Sequence, residues 1–345
     1  MPLHNRVNGR LLKERLLQET EERITVSFYK YHKLENPQAF RDELYASWEA
    51  MGIRGRTYVA SEGINAQISV PKPRMEDFRE QLYSYPFLNG VRLNTAVDDG
   101  KSFFKLKITV RRKIVADGID DPDFDVTQCG EHVDAQTFNR LADDPNTLIV
   151  DMRNHYESEV GHFRNAILPD VDTFREELQV AEDLMKGQED KNLLLYCTGG
   201  IRCEKASAWM KHRGFKNVFQ LNGGIINYAR EVRDKGLENK FIGKNFVFDE
   251  RLGERITEDV VSVCHQCGKP CDDHTNCRNE ACHLLFIQCP ECRASQEGCC
   301  SEKCRDIARL PEAEQRALRK GLNPGQRIFR KSRSARILHR KNSEK

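Results

Sequence analysis

A cysteine, two glycines and an arginine lie close together near the middle of the chain. An apolar run at 193–196 leads into Cys197, and the residues before Arg202 are Thr198, Gly199, Gly200 and Ile201. Glycines let the backbone curl so that successive N–H groups point toward the sulfur. A helix predicted over 204–212 adds the partial positive charge of its N-terminus, and Arg202 adds a full one. These charges favour the thiolate, so Cys197 is the predicted nucleophile, with a pKa below that of a free cysteine.

Three neighbouring residues are candidates for supporting roles. Cys203 could resolve an oxidised Cys197 as a disulfide, or it could be a small residue that fills the first helical turn. Asp151 closes a predicted buried strand, where it could orient the loop or the substrate. It could equally cap backbone N–H groups or pair with Arg153.

Ten of the thirteen cysteines lie between residues 264 and 304. Two C-x-x-C turns supply a tetrahedral four-cysteine zinc site, and a second set with wider spacing is a weaker candidate. The first set is Cys264, Cys267, Cys289 and Cys292; the second is Cys277, Cys282, Cys300 and Cys304. Replacement of a thiolate by His265, His274 or His283, an iron–sulfur cluster, and free thiols are the alternatives. Zinc is the prediction, with one ion or two left open.

The segment around Cys197 is predicted to belong to an α/β domain that covers residues 133–235. The apolar runs 148–150 and 193–196 are typical of parallel strands buried on both faces. Helices are predicted over 135–142, 173–185 and 204–212. In such sheets ligands bind at the carboxyl ends of the strands, which is where Cys197 falls.

The preceding region, 23–112, predicts a ferredoxin-like α+β domain with the order βαββαβ. Alternating apolar residues predict strands at 24–28 and 104–110, and a hairpin joins 56–60 to 64–70. Asn36 and Pro37 predict the start of a helix that ends at Gly52, and a second helix covers 75–82. Lys105, Lys107 and Arg111 share the polar face of the last strand. With Tyr29 or Tyr31 nearby, that face either stacks an unpaired RNA base or is an ordinary wet surface.

The remaining segments are an N-terminal extension at 1–22, a linker at 113–132, the Cys-rich region within 236–310 and a basic tail at 311–345. The tail has eleven lysines and arginines against three acidic residues, although the net charge of the chain is only +2. Such a tail could steer RNA toward the site, or it could be solvated and disordered. Its arginines and lysines include Arg327, Arg330, Lys331, Arg333 and Arg336.

Bulk properties exclude several classes of protein. No apolar run is long enough to span a bilayer, and residues 1–7 lack the apolar segment of a secretory signal. Thirteen cysteines without export indicate thiolate chemistry or metal binding in a reducing compartment, so we expect the cytoplasm and no membrane partner.

Residues 133–235 resemble rhodanese domains. The landmarks before the loop are Asp151-Met152-Arg153, Glu157, Gly161-His162-Phe163 and Asn165-Ala166. In that family the loop cysteine carries a persulfide. Phosphatases of the same fold separate the cysteine from the arginine by five residues, whereas four separate Cys197 from Arg202, so we reject a phosphatase.

Nearly the whole chain resembles the bacterial tRNA uridine-34 hydroxylase family. The matching stretches are 62–66 (Glu-Gly-Ile-Asn-Ala), 151–156 (Asp-Met-Arg-Asn-His-Tyr), 197–205 (Cys-Thr-Gly-Gly-Ile-Arg-Cys-Glu-Lys) and 243–249 (Gly-Lys-Asn-Phe-Val-Phe-Asp). The resemblance implies oxygen-dependent conversion of the wobble uridine of tRNA to 5-hydroxyuridine. It also implies a grip on the anticodon arm and molecular oxygen as co-substrate.

Oxygen activation is not explained by the residues, because we find neither a flavin or nicotinamide site nor a facial triad for iron. Cys197 could attack C6 of uracil, or a persulfide or sulfenate of Cys197 could act as the redox group. The loop alone favours a persulfide sulfurtransferase acting on tRNA or a carrier protein, and only the whole-chain resemblance favours hydroxylation. A non-enzymatic zinc-dependent RNA-binding adaptor is a second rival, disfavoured by the intact loop.

Overall fold

The computed structural model describes residues 9–97 and 101–320 of the chain. Two compact units are distinguished among these residues, one formed by 9–97, 101–152, 185–238 and 247–251, the other by 153–184, 239–246 and 252–320. None of the described helices combines the length and the apolar character needed to cross a membrane.

Fourteen strands, eleven α-helices and three short 3-10 helices are found among the described residues. The strands are β1 (Arg23–Tyr31), β2 (Arg54–Ala60), β3 (Gly63–Pro71), β4 (Asn94–Thr95), β5 (Leu106–Val110), β6 (Glu131–Val133), β7 (Thr147–Asp151), β8 (Gly161–Phe163), β9 (Asn192–Tyr196), β10 (Asn217–Leu221), β11 (Phe241–Asn245), β12 (Glu254–Arg255), β13 (His274–Asn276) and β14 (Leu285–Ile287). The helices are α1 (Gly9–Gln18), α2 (Pro37–Ala50), α3 (Met75–Tyr83), α4 (Ala135–Ala142), α5 (His155–Ser158), α6 (Phe174–Met185), α7 (Ile201–His212), α8 (Gly224–Lys235), α9 (Pro290–Ser295), α10 (Glu302–Arg309) and α11 (Glu312–Arg319).

The N-terminal sheet has the order β4-β1-β3-β2-β5, and its first four strands with α2 and α3 form the predicted βαββαβ arrangement. Alternate residues of β1 and β3 point into a core that is closed by Trp48 of α2 and Phe78 of α3. Asn36 caps α2 by accepting a hydrogen bond from the N–H of Ala39, with Pro37 as the first helical residue. The predicted ferredoxin-like class is therefore confirmed.

The last strand of that motif was assigned wrongly. The two-residue strand β4 occupies the position beside β1, whereas β5, predicted as the final strand, pairs in parallel with β2 at the opposite edge. Leu106 and Ile108 of β5 do join the core. The alternation of apolar residues therefore identified the buried face of β5, but it carries no information about the neighbouring strand.

The second sheet of the first unit is wholly parallel, in the order β6-β10-β9-β7. Residues 193–196 of β9 are all buried, as expected for a central strand with helices on the sheet. Helix α7 packs on β9 and β10, while α4 contacts β7, β9 and α8. Strand β6 begins at Glu131, and Asp117 is buried, so parts of the segment predicted as a linker are built into the unit.

The second unit contains the antiparallel sheet β12-β11-β8 and the hairpin β13–β14. A small core near the hairpin consists largely of cysteines, with Leu284, Phe286 and Ala308. So few apolar side chains stabilise a segment weakly on their own, which makes additional cross-links important.

Candidate functional site

The predicted nucleophile lies at the carboxyl end of β9. Gly200 adopts a left-handed conformation (φ 97°) and caps α7, which begins at Ile201 rather than at residue 204 as predicted. Arg202 and Cys203 are therefore in the first turn of the helix. The loop proper is only Cys197 to Gly200, so the helix N-terminus lies closer to the sulfur than expected.

The sulfur of Cys197 is completely buried and receives hydrogen bonds from the chain around it. The N–H of Gly200 donates to Sγ at 3.1 Å, and the N–H groups of Arg202 and Cys203 also contribute. Burial alone would raise the pKa of Cys197. The Cys203 thiol, the charge of Arg202 and these N–H groups outweigh burial and lower the pKa to about 6. The structure thus supports a thiolate at neutral pH.

Cys203 has the opposite character. It is fully buried, and burial together with the hydrogen bond to Cys197 raises its pKa well above the usual value. Cys203 is therefore a thiol that donates to the Cys197 sulfur. The two sulfurs are in contact, which both hypotheses for Cys203, resolving thiol or small filler, accommodate.

The N-terminus of α8 donates hydrogen bonds to the Cys197 loop, a contact that the sequence analysis did not predict. The N–H groups of Ile225 and Ile226 donate to the carbonyl oxygens of Cys197 and Thr198, at 3.0 and 3.2 Å. A Cβ on Gly224 would lie 2.5 Å from the Cys197 carbonyl oxygen, and Gly224 has φ +66°. The Gly223–Gly224 pair, one residue after strand β10, was the available signal.

Residues of the N-terminal sheet hold the first turns of α7. Tyr29 donates to the Glu204 carboxylate at 2.9 Å, and Tyr31 donates to the Ile201 carbonyl oxygen at 3.3 Å. Burial, and then the nearby Glu204 carboxylate, raise the pKa of Tyr29 well above its usual value. Both tyrosine hydroxyls are engaged with the helix, which argues against base stacking on either ring, one of the two alternatives left open for this face.

A buried ion cluster attaches the same helix to the segment around residue 117. Lys205 is 2% exposed and donates to the Glu62 carboxylate at 2.8 Å and to Asp117. Glu62 also accepts from the N–H of Ile114 at 2.6 Å. Asp117 also pairs with Lys113 at 2.5 Å. Because Lys205 and Asp117 are almost completely buried, weakening this network would be costly, so the cluster fixes the position of α7.

The other residues predicted to support the loop are Asp151 and Arg153, and each has its own hydrogen-bond partner. Asp151 is buried and accepts a hydrogen bond from the Tyr196 hydroxyl at 2.7 Å, next to the loop. Arg153 is also buried, donates to the Gly161 carbonyl oxygen at 2.7 Å and lies 5.8 Å from the centre of the Phe241 ring. Arg202 has its guanidinium 5.9 Å from the centre of the half-buried Phe248 ring. Phe248 is an aromatic neighbour of the loop that sequence reasoning did not single out.

The two predicted cysteine sets come together as two separate clusters. In each, all four sulfurs lie within 4.8 Å of one another. The distance between Cys267 and Cys289 is 3.7 Å, as it is between Cys282 and Cys300. Tetrahedral zinc with bonds of about 2.3 Å requires sulfurs about 3.8 Å apart, so both clusters fit a metal ion. His265 instead contacts Glu159 at 2.8 Å and accepts from the N–H of Ile287.

A basic patch, defined here as Arg56, Lys105, Lys107 and Arg111, lies on the exposed edge formed by β2 and β5. Partial burial, and then the charges of the other three residues, lower the pKa of Lys107. The arginines and lysines of the basic tail named above lie outside the described residues.

Three family models match the chain. A UPF0176 acylphosphatase like domain covers residues 23–114, a rhodanese-like domain covers 134–231, and a rhodanase C-terminal model covers 242–305. A protein of Enterobacter sp. (strain 638) named tRNA uridine(34) hydroxylase is 58% identical over 96% of this chain and 95% of its own length. One of the same name from Pectobacterium atrosepticum is 59% identical, over 96% and 94%. Among solved structures, the rhodanese-like domain of Anabaena sp. Alr3790 covers 32% of this chain and 78% of its own, at 20% identity and TM-score 0.26.

Proposed function

Because this chain belongs to the tRNA uridine(34) hydroxylase family, we propose that it hydroxylates the wobble uridine of tRNA with Cys197 as the reactive group. The observation that carries the proposal is the Cys197 sulfur, held as a thiolate by loop N–H groups, the Cys203 thiol and Arg202. A preorganised thiolate is the strongest nucleophile that a protein offers at neutral pH.

The proposed product is 5-hydroxyuridine, with molecular oxygen as co-substrate. Replacing the C5 hydrogen by a hydroxyl consumes one O₂, two electrons and two protons, and releases one water. A thiolate and a thiol that form a disulfide supply two electrons and one proton, and solvent water supplies the second proton. The contact between Cys197 and Cys203 makes this pair the proposed source, and a small external thiol would restore both.

The experiment compares tRNA nucleosides from a strain that lacks the gene and carries either wild-type protein or a variant. Cys197→Ser should abolish the hydroxylated uridine, while Cys271→Ser, a buried cysteine outside both clusters, should retain it. Retention of the product in Cys197→Ser would remove this residue from the mechanism. In a single turnover without added thiol, mass spectrometry should find the Cys197–Cys203 disulfide.

Sulfur transfer is the second candidate, because the four residues between Cys197 and Arg202 form the shorter, sulfur-carrying kind of loop. Thiolation and hydroxylation add the same nominal mass to uridine. High-resolution mass and chromatographic retention separate the two products. Loss of a thiouridine in the gene-deletion strain, with no change in hydroxyuridine, would favour the sulfurtransferase.

The proposed partner surface for the anticodon arm is the basic patch of β2 and β5. Four exposed cationic side chains that repel one another are stabilised when phosphates lie between them. We also propose that the reaction takes place in the cytoplasm, which a tRNA substrate supports.

We further propose that each cysteine cluster holds one zinc ion. Four thiolates at tetrahedral spacing, in a segment with a small apolar core, would be stabilised mainly by the metal. Elemental analysis of protein purified without chelator should give two zinc ions per chain. Iron with acid-labile sulfide would instead indicate a cluster.

A further inference from the structure

We propose that Cys129, His132 and Glu204 form a third metal site, for a divalent transition ion such as Fe²⁺ or Zn²⁺, distinct from the two cysteine clusters. The thiol sulfur, a ring nitrogen and a carboxylate oxygen of these residues all lie within 4.8 Å of one another. Thiolate, imidazole and carboxylate are the side-chain ligands that borderline divalent ions accept. The inference is independent of the proposed reaction.

Two neighbouring elements bring the ligands together. Cys129 and His132 flank the start of β6, and Glu204 is on the first turns of α7, which packs on the adjacent strand β10. Parallel pairing aligns His132 with Gln220 of β10. The His132 Nε2 atom then lies 2.8 Å from the Glu204 carboxylate.

The hydrogen bonds of this cluster conflict when no cation is present. Gln220 Nε2 carries two hydrogens but faces three acceptors, namely the Gly130 carbonyl oxygen at 3.2 Å, His132 Nε2 at 3.1 Å and Glu204 at 3.2 Å. If His132 Nε2 is protonated, its N–H faces the N–H of Gln220, so two donors meet. If it is unprotonated, its lone pair faces a carboxylate oxygen of Glu204, so two acceptors meet. A cation bound by His132 Nε2 and Glu204 removes both conflicts. Gln220 is then left with two acceptors for its two hydrogens.

The site is accessible from solvent. The His132 side chain is 39% exposed, while Glu204 is 14% exposed. Three protein ligands leave the fourth position of a tetrahedral ion for water or another small ligand. Tyr29 donates to the Glu204 Oε1 atom, which His132 Nε2 also approaches, and it lies against the loop, since a Cβ on Gly200 would be 2.9 Å from its hydroxyl. Bound metal would therefore be connected to the catalytic loop by a single tyrosine.

The test uses full-length protein with zinc already bound and Co²⁺ as the spectroscopic probe. We expect one additional Co²⁺ per chain, with thiolate-to-cobalt charge-transfer absorption and no release of zinc. Cys129→Ser should lose the charge-transfer band, and His132→Ala should weaken Co²⁺ binding by about tenfold or more. The matched control is His212→Ala, which removes a histidine that pairs with Asp121 at 3.0 Å outside the cluster and should leave binding unchanged.

Two results would overturn the proposal. One is wild-type protein that takes up no Co²⁺ beyond the amount of zinc it releases. The other is a charge-transfer band that persists in Cys129→Ser. Far-UV circular dichroism checks the fold of each variant. If Cys129→Ser unfolds, the test becomes the Co²⁺ affinity of His132→Ala compared with that of His212→Ala, and equal affinities would overturn the proposal.

Discussion

Replacing Gly224 by alanine should damage the catalytic loop without touching any side chain of the site. The added Cβ would lie 2.5 Å from the Cys197 carbonyl oxygen, 2.6 Å from that of Thr198 and 2.7 Å from the Gly199 nitrogen. All three atoms are backbone, so none can rotate away. The left-handed conformation of Gly224 costs an alanine about 1–2 kcal/mol, and overpacking adds about 1–3 kcal/mol. The expected destabilisation is therefore about 2–5 kcal/mol.

Gly187→Ala is the matched control, because Gly187 has φ +81° and no atom within 4 Å of an added Cβ. Gly187→Ala has the same cost of placing an alanine in a left-handed conformation and the same loss of conformational freedom in the unfolded chain. It lacks the steric clash of the added Cβ with neighbouring backbone atoms. Urea unfolding should place Gly224→Ala below Gly187→Ala by about 1–3 kcal/mol. Hydroxylation at saturating tRNA should fall about a hundredfold in Gly224→Ala only, because shifted loop amides no longer point at the sulfur. Activity and stability equal to those of Gly187→Ala would refute the idea that α8 positions the loop.

Four further predictions concern charge and metal. Activity should rise with pH through about 6 as the Cys197 thiolate forms, and Arg202→Met should move this rise to higher pH; an unmoved profile would mean that Arg202 does not lower the pKa. Because folding lowers the pKa of Cys197, its thiolate also stabilises the folded state at pH values above the unfolded pKa. This contribution is lost as pH falls through about 6. Acid unfolding of the wild-type protein compared with Cys197→Ser measures it. Chelation should abolish hydrogen-exchange protection in 264–304 while β1 and β3 stay protected; protection that survives metal loss would contradict zinc-dependent folding. Alanine at both Arg56 and Lys107 should reduce the slope of log K for tRNA against log salt by about 0.7–0.9 per phosphate contact, whereas an unchanged slope would place the tRNA elsewhere.

Local patterns predicted the elements that local physics controls. The capped start of α2 at Asn36 and Pro37 follows from side-chain chemistry within one turn. The buried strand before Cys197 and the cysteine spacings were likewise readable, because each depends on a few neighbouring residues. The start of α7 was placed three residues late, since Gly200 supplied a left-handed cap that the pattern of apolar residues does not register.

By itself the sequence determined the order of the domains, the place of Cys197 at the end of a buried strand and the composition of the two cysteine clusters. All of these depend on residue type and short-range spacing. Only the tertiary structure decided that β5 joins β2, that Tyr29 contacts Glu204 and that Gly224 lies beneath the loop. These contacts join residues far apart in the chain, and their energies depend on complementary shape and charge across packed elements. A single sequence records which side chains are able to meet, but the packing of the whole unit selects which of them do.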